Sequence, residues 1–106
     1  MAFIKTVDRY AAFHYPNRGS NRARINLYCK EGYKLYILFN DEGSLGINSY
    51  NEVHKIGVAY DSIKNYGYYI DLIRNEKPIY VTFRPEDTPP HYVVYVAGEE
   101  PGEGEM

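Results

Sequence analysis

Residues 22–40 alternate between apolar and polar side chains on both sides of a Lys30-Glu31-Gly32 break. A period of two over two such runs admits little but a β-hairpin. Its register follows from the same pattern. A two-residue turn at Glu31-Gly32 sets the apolar row of one strand beside the polar row of the other. A three-residue loop instead pairs Cys29 with Tyr33, Leu27 with Leu35 and Ile25 with Ile37. All apolar residues then share one face, and Gly32 takes the left-handed position that such loops use. The opposite face carries Arg22, Arg24, Asn26, Tyr28, Lys34, Tyr36 and Leu38.

Tyrosine dominates the aromatic content, with 13 Tyr, four Phe and no Trp in 106 residues. A tyrosine joins an apolar ring to a polar tip, which suits sheet faces that are only partly covered. Further strands are expected over 53–60, 79–84 and 91–97, with a weaker one over 45–50. Residues 2–15 show helical spacing at Phe3, Val7, Tyr10 and His14. They also carry Ile4, Thr6 and Val7, which favour strands, and strand is the preferred assignment. Asp61 or Ser62 caps one helix whose stripe is Ile63, Tyr66, Ile70 and Ile73, flanked by Tyr69. Pro78 ends it. The expected fold is therefore α+β: an antiparallel sheet of five or six strands with one amphipathic helix on its apolar face. Residues 1–97 form a single domain, and residues 98–106 are an acidic, disordered tail.

Composition narrows the function classes. No apolar run reaches the 18 residues of a membrane helix, and no secretory signal is visible at the N-terminus. A single cysteine fits a reducing compartment, so a cytoplasmic protein is expected. No nucleophile motif or phosphate-binding glycine loop is present. His14, His54 and His91 lack metal-ligand spacing. Cys29 falls on the apolar face, and the acid pairs Asp41-Glu42 and Glu86-Asp87 sit in turns. A small enzyme with a pocket near Tyr66, Tyr69 and His54 finds no support in spacing. A non-enzymatic module without cofactor or metal is expected.

The net charge of −2 hides an asymmetry, +5 over residues 1–36 and −7 over residues 37–106. The basic part includes the hairpin's polar face. Cations near rings suit a single nucleic-acid strand, because the cations follow phosphates while unstacked bases lie on aromatic faces. The candidate contacts are Arg22, Arg24, Tyr28, Lys34 and Tyr36, for single-stranded DNA or RNA. The alternative is a protein-interaction module, with this tyrosine-rich face buried in a homodimer or against another partner. The acidic tail, with Glu99, Glu100, Glu103 and Glu105, would compete with an anionic ligand if it folded back.

The run Lys55-Ile56-Gly57-Val58-Ala59-Tyr60-Asp61-Ser62-Ile63, passing from strand into helix after a strand pair, resembles the single-stranded-DNA-binding group of the positive-cofactor-four and Whirly type. That resemblance covers about half the chain. It implies a curved antiparallel sheet backed by a helix, and oligomeric binding of single strands. The group's basic glycine-rich hairpin is poorly matched by Asn48-Ser49-Tyr50-Asn51-Glu52, so no binding residue carries over. Asp71-Leu72-Ile73-Arg74-Asn75-Glu76-Lys77-Pro78-Ile79-Tyr80, with the acidic terminus, resembles small bacterial proteins of unassigned function. This implies a bacterial cytoplasmic origin and no activity.

Overall fold

The structure, a computed structural model, describes residues 2–16, 22–75 and 77–96. The tail lies outside those residues. Seven strands form one sheet: β1 (Phe3–His14), β2 (Ala23–Cys29), β3 (Lys34–Asn40), β4 (Ser49–Asn51), β5 (Ile56–Ser62), β6 (Ile79–Arg84) and β7 (His91–Val96). Their order is β4-β5-β3-β2-β1-β6-β7. One helix, α1 (Tyr66–Asn75), follows a 3₁₀ turn over Ile63–Asn65. The expected α+β class with a single helix holds.

The expected sheet of five or six antiparallel strands does not. There are seven, and β3 runs parallel to β5. The cause is the excursion between Asn40 and Ile56. Parallel neighbours need a connection of about a dozen residues or more. Here that connection makes a 3₁₀ turn at Glu42–Ser44 and the three-residue β4, which pairs with β5 from the far side. No local pattern in the sequence marks such a return.

The hairpin register is the expected one. Ile25 faces Ile37 and Leu27 faces Leu35, and Cys29 N–H donates to the Tyr33 carbonyl at 2.8 Å. The turn needs two left-handed residues, Glu31 at φ 63° and Gly32 at φ 83°. Ala23, Ile25, Leu27, Cys29, Leu35, Ile37 and Phe39 are buried on the inner face. Ile79, Val81 and Phe83 of β6 and Ile73 of α1 complete the core.

The helix is placed by Ser62, whose hydroxyl accepts from Lys64 N–H at 3.2 Å. Such caps stabilise by about 1 kcal/mol. Tyr66 and Tyr69 set their rings edge-on to Phe39, with centroids 5.1 and 5.2 Å away. The Tyr69 hydroxyl donates to Asp61 at 2.8 Å. Burial first, then this bond and the nearby charge, push the Tyr69 phenol well above its ordinary range. The stripe therefore covers one end of the inner face, as its spacing predicts.

β1 organises the sheet. Phe3 to Thr6 pair with β6, whereas Val7 to His14 pair with β2, with an irregularity between Val7 and Arg9. An extra residue in one strand bends it and raises its twist. The sheet curls so that β7 comes near β4 and β5. Tyr92 Oη donates to the Ser49 carbonyl, and Asn48 Nδ2 donates to the Pro90 carbonyl at 3.1 Å. Gly57 makes the approach possible: a Cβ there would lie 2.6 Å from the Tyr92 ring. No helix among the described residues is long and apolar enough to cross a membrane.

Candidate nucleic-acid interface

On the outer face, pairing brings three strands' alternate residues into one field. Arg24 lies opposite Phe13 on β1 and Leu38 on β3. Asn26 lies opposite Ala11 and Tyr36, and Tyr28 opposite Arg9 and Lys34. The hairpin members of the expected set thus do share a face. Arg22 is the exception in chemistry: its guanidinium is held by Asp41 at 2.9 Å. Lys34 Nζ donates to the Gly32 carbonyl at 3.2 Å.

The face is not a loose row of solvated side chains. The Arg24 guanidinium lies over both Phe13 and Tyr36, 5.1 and 5.6 Å from the ring centroids. The Arg9 guanidinium lies 4.0 Å from the centroid of Tyr28. Exposed cation–ring pairs contribute about 0.5–1 kcal/mol each, more when desolvated. Asn26 sits among them only 4% exposed, its Nδ2 donating to Tyr28 Oη at 3.1 Å. Arg24 Nε and Asn26 Oδ1 are buried without a hydrogen-bond partner. Leaving such a group unmet costs about 1–3 kcal/mol. Unmet buried polar atoms in a native face call for an explanation.

Arg9 and Phe13 were missed by the hairpin-centred sequence reading. Their signal was the alternation Arg9-Ala11-Phe13, masked by helical spacing at Val7, Tyr10 and His14. Among the described residues, Arg9, Arg24 and Lys34 have no carboxylate partner, whereas Lys30 is held by Asp8 at 2.8 Å. Leu38, Ile56, Val58 and Tyr60 continue the field toward β5 as a half-buried, mostly apolar strip.

Two other places compete. At the sheet end away from the helix, a cavity of about 560 Å³ is lined by Phe3, Tyr33, Tyr50, Glu52, Lys55 and Pro90, among others. Lys55 in its lining and the nearby Lys5 are already engaged. Lys5 pairs with Glu31, Lys55 Nζ donates to the Glu31 carbonyl at 3.1 Å, and both ammonium groups lie within 5 Å of the Tyr33 ring centroid, at 4.6 and 4.8 Å. His54 does not join Tyr66 and Tyr69 at one place; the shallow pocket beside Tyr69 is lined by Asp61, Asn65, Tyr68, Leu72 and Val94. His54 lies in the turn before β5, and the helix follows the other end of that strand. The histidine beside Tyr66 is His14, 6.1 Å between ring centroids.

No group of three or more potential metal ligands occurs among the described residues. Cys29 is buried, and burial first, then the Asp8 charge, push its thiol up to about 12. At neutral pH it is a small core residue, since only a thiolate reacts readily. No protein-family model, curated protein or solved structure matches this chain.

Proposed function

We propose that the protein is a non-enzymatic module that binds single-stranded DNA or RNA across the outer face of β1, β2 and β3. The carrying observation is the stack of Arg24 on Phe13 and Tyr36, beside Arg9 on Tyr28. Guanidinium planes and rings at that spacing form a platform on which bases stack, while the guanidinium nitrogens reach phosphates. Lys34 extends the positive field at the turn end of the hairpin face, whereas Arg22 at the other end is paired with Asp41.

A homodimer burying this same face is less favoured. It would gather both copies' Arg9, Arg24 and Lys34 into one desolvated interface, and like charges brought together repel.

The test is fluorescence anisotropy of a labelled mixed-sequence single strand over a salt series. Each phosphate contact on a single strand contributes a slope of about 0.7 in log affinity against log salt. Arg9→Ala, Arg24→Ala and Lys34→Ala together should lower the affinity and flatten the slope by about 2. Tyr36→Ala should weaken binding at every salt concentration, by about 1–3 kcal/mol for a lost stacked base. Unchanged binding by the triple variant, with its fold intact, would remove this face from consideration.

A further inference from the structure

No residue of β1 is paired on both sides among the described residues. Residues Phe3 to Thr6 face β6, but among the described residues Val7 to His14 pair with β2 alone. The second edge of that half is an open row of backbone donors and acceptors. A long, unpaired edge is a template for another strand unless it is blunted by charge, proline or cover. This one holds Tyr10 at 39% and Phe13 at 37% exposure, with Ala12 and His14 also exposed. Beside it runs a groove of about 570 Å³, floored by Val7, Ile73, Pro78 and Ile79.

We infer that this edge pairs with the same edge of a second copy, antiparallel, about a twofold axis at Ala11. The choice of axis follows from side chains. An axis at Ala11 sets Arg9 opposite the second copy's Phe13, and Tyr10 opposite its Ala12. The one self-opposed residue is then alanine, small enough to let the backbones close. An axis at Arg9 would oppose two guanidinium groups, and like charges directly opposite are destabilising. His14 of the second copy reaches the level of Asp8, where its ring and Ala12 occupy the mouth of the groove. Interface and recognition chemistry are therefore self-complementary, as a twofold contact requires.

The pairing has a consequence for the outer face. In an antiparallel ladder, opposed residues point to the same side of the sheet. Both copies' outer faces thus lie on one side of a continuous sheet. The rings and guanidinium groups then run unbroken across the axis: Tyr36, Arg24 and Phe13 of one copy, then Arg9 and Tyr28 of the other. The second copy's Arg9 meets Phe13, whose ring in the single chain stacks with Tyr15 and carries Arg24. The dimer itself does not depend on the nucleic-acid assignment.

Light scattering after size exclusion gives the mass, expected at twice the 12.3 kDa chain. Ala11→Cys in a Cys29→Ser background should give an intermolecular disulfide under mild oxidation. Ala12→Cys in the same background, set opposite Tyr10, should not. Phe13→Glu should keep the dimer, because it places a carboxylate opposite Arg9. Phe13→Arg should give a folded monomer, verified by an unchanged circular-dichroism spectrum and a cooperative melt. A monomeric wild type over the accessible concentration range overturns the inference. A dimer unaffected by Phe13→Arg, and with no Ala11→Cys cross-link, overturns it equally. Loss of oligonucleotide binding by a variant that remains dimeric bears on the platform alone.

Discussion

The two faces of β2 and β3 are built from alternate residues of the same fourteen-residue framework, and they solve different problems. The inner face is dry. Ile25, Leu27, Leu35 and Phe39 are fully buried, and their contribution scales with the area withdrawn from water. The outer face is also largely covered, but by its own long side chains. Arg24 and Arg9 lie along rings, Asn26 is shut in beneath them, and two polar atoms are left unmet. One face is finished by the fold. The other is finished only geometrically, by ring and guanidinium contacts among its own side chains.

The contrast is sharpest in paired substitutions. Leu27→Ala should cost about 2–5 kcal/mol, the range for a buried leucine. Arg24→Ala, three residues away on the other face, should cost no more than about 1 kcal/mol, since the lost ring contacts are offset by removal of an unmet buried donor. Urea denaturation of both variants reads this directly. Equal costs would mean that the outer face is a second core and not a platform.

A smaller effect is expected where the inner face meets itself across the curl. Gly57→Ala places a methyl group against Tyr92 and should cost about 1–3 kcal/mol by overpacking. Tyr92→Phe keeps the ring and loses the hydroxyl's bond to Ser49, for about 1 kcal/mol. If Gly57→Ala proves harmless, the ring has room to retreat and the contact is loose.

Alkali separates the faces through Cys29. Its thiol titrates near 9.0 when unfolded and at about 12 when folded, so the unfolded chain releases the proton first. Stability is unaffected below pH 9 and falls as pH rises through that window, with a slope of about 1.4 kcal/mol per pH unit for one proton. Tyr69 and Tyr92, both raised chiefly by burial, add slope in the same direction. Cys29→Ala should remove one proton's share of the alkaline slope. An unchanged slope would mean that the thiol is already ionisable in the folded protein.

The inner face was legible because burial writes itself into alternation. Leu27 and Leu35 could be matched across the turn from hydrophobicity alone, and so could the stripe through Ile73, while the cap was narrowed to Asp61 or Ser62. The parallel pairing of β3 with β5 was not legible, since it depends on where a fifteen-residue excursion returns. The outer face was legible by half. Arg24, Tyr28 and Tyr36 announce themselves in the hairpin. Arg9 and Phe13 do not, because their roles exist only once β1 is laid beside β2. Stacking between strands leaves no period in a single strand.

Tyr92 reaches Ser49 with a phenol, where a closed barrel would use a run of amides. Unzipping any neighbouring pair of central strands means giving up a whole ladder at once. Parting β7 from β4 means giving up two side-chain bonds. The molecule therefore has a built-in direction of breathing. Amide protons of β4 and β7 should exchange early, through openings that leave β1, β2 and β3 registered. Excursions that let solvent into the interior would leave the outer surface of those three strands in place.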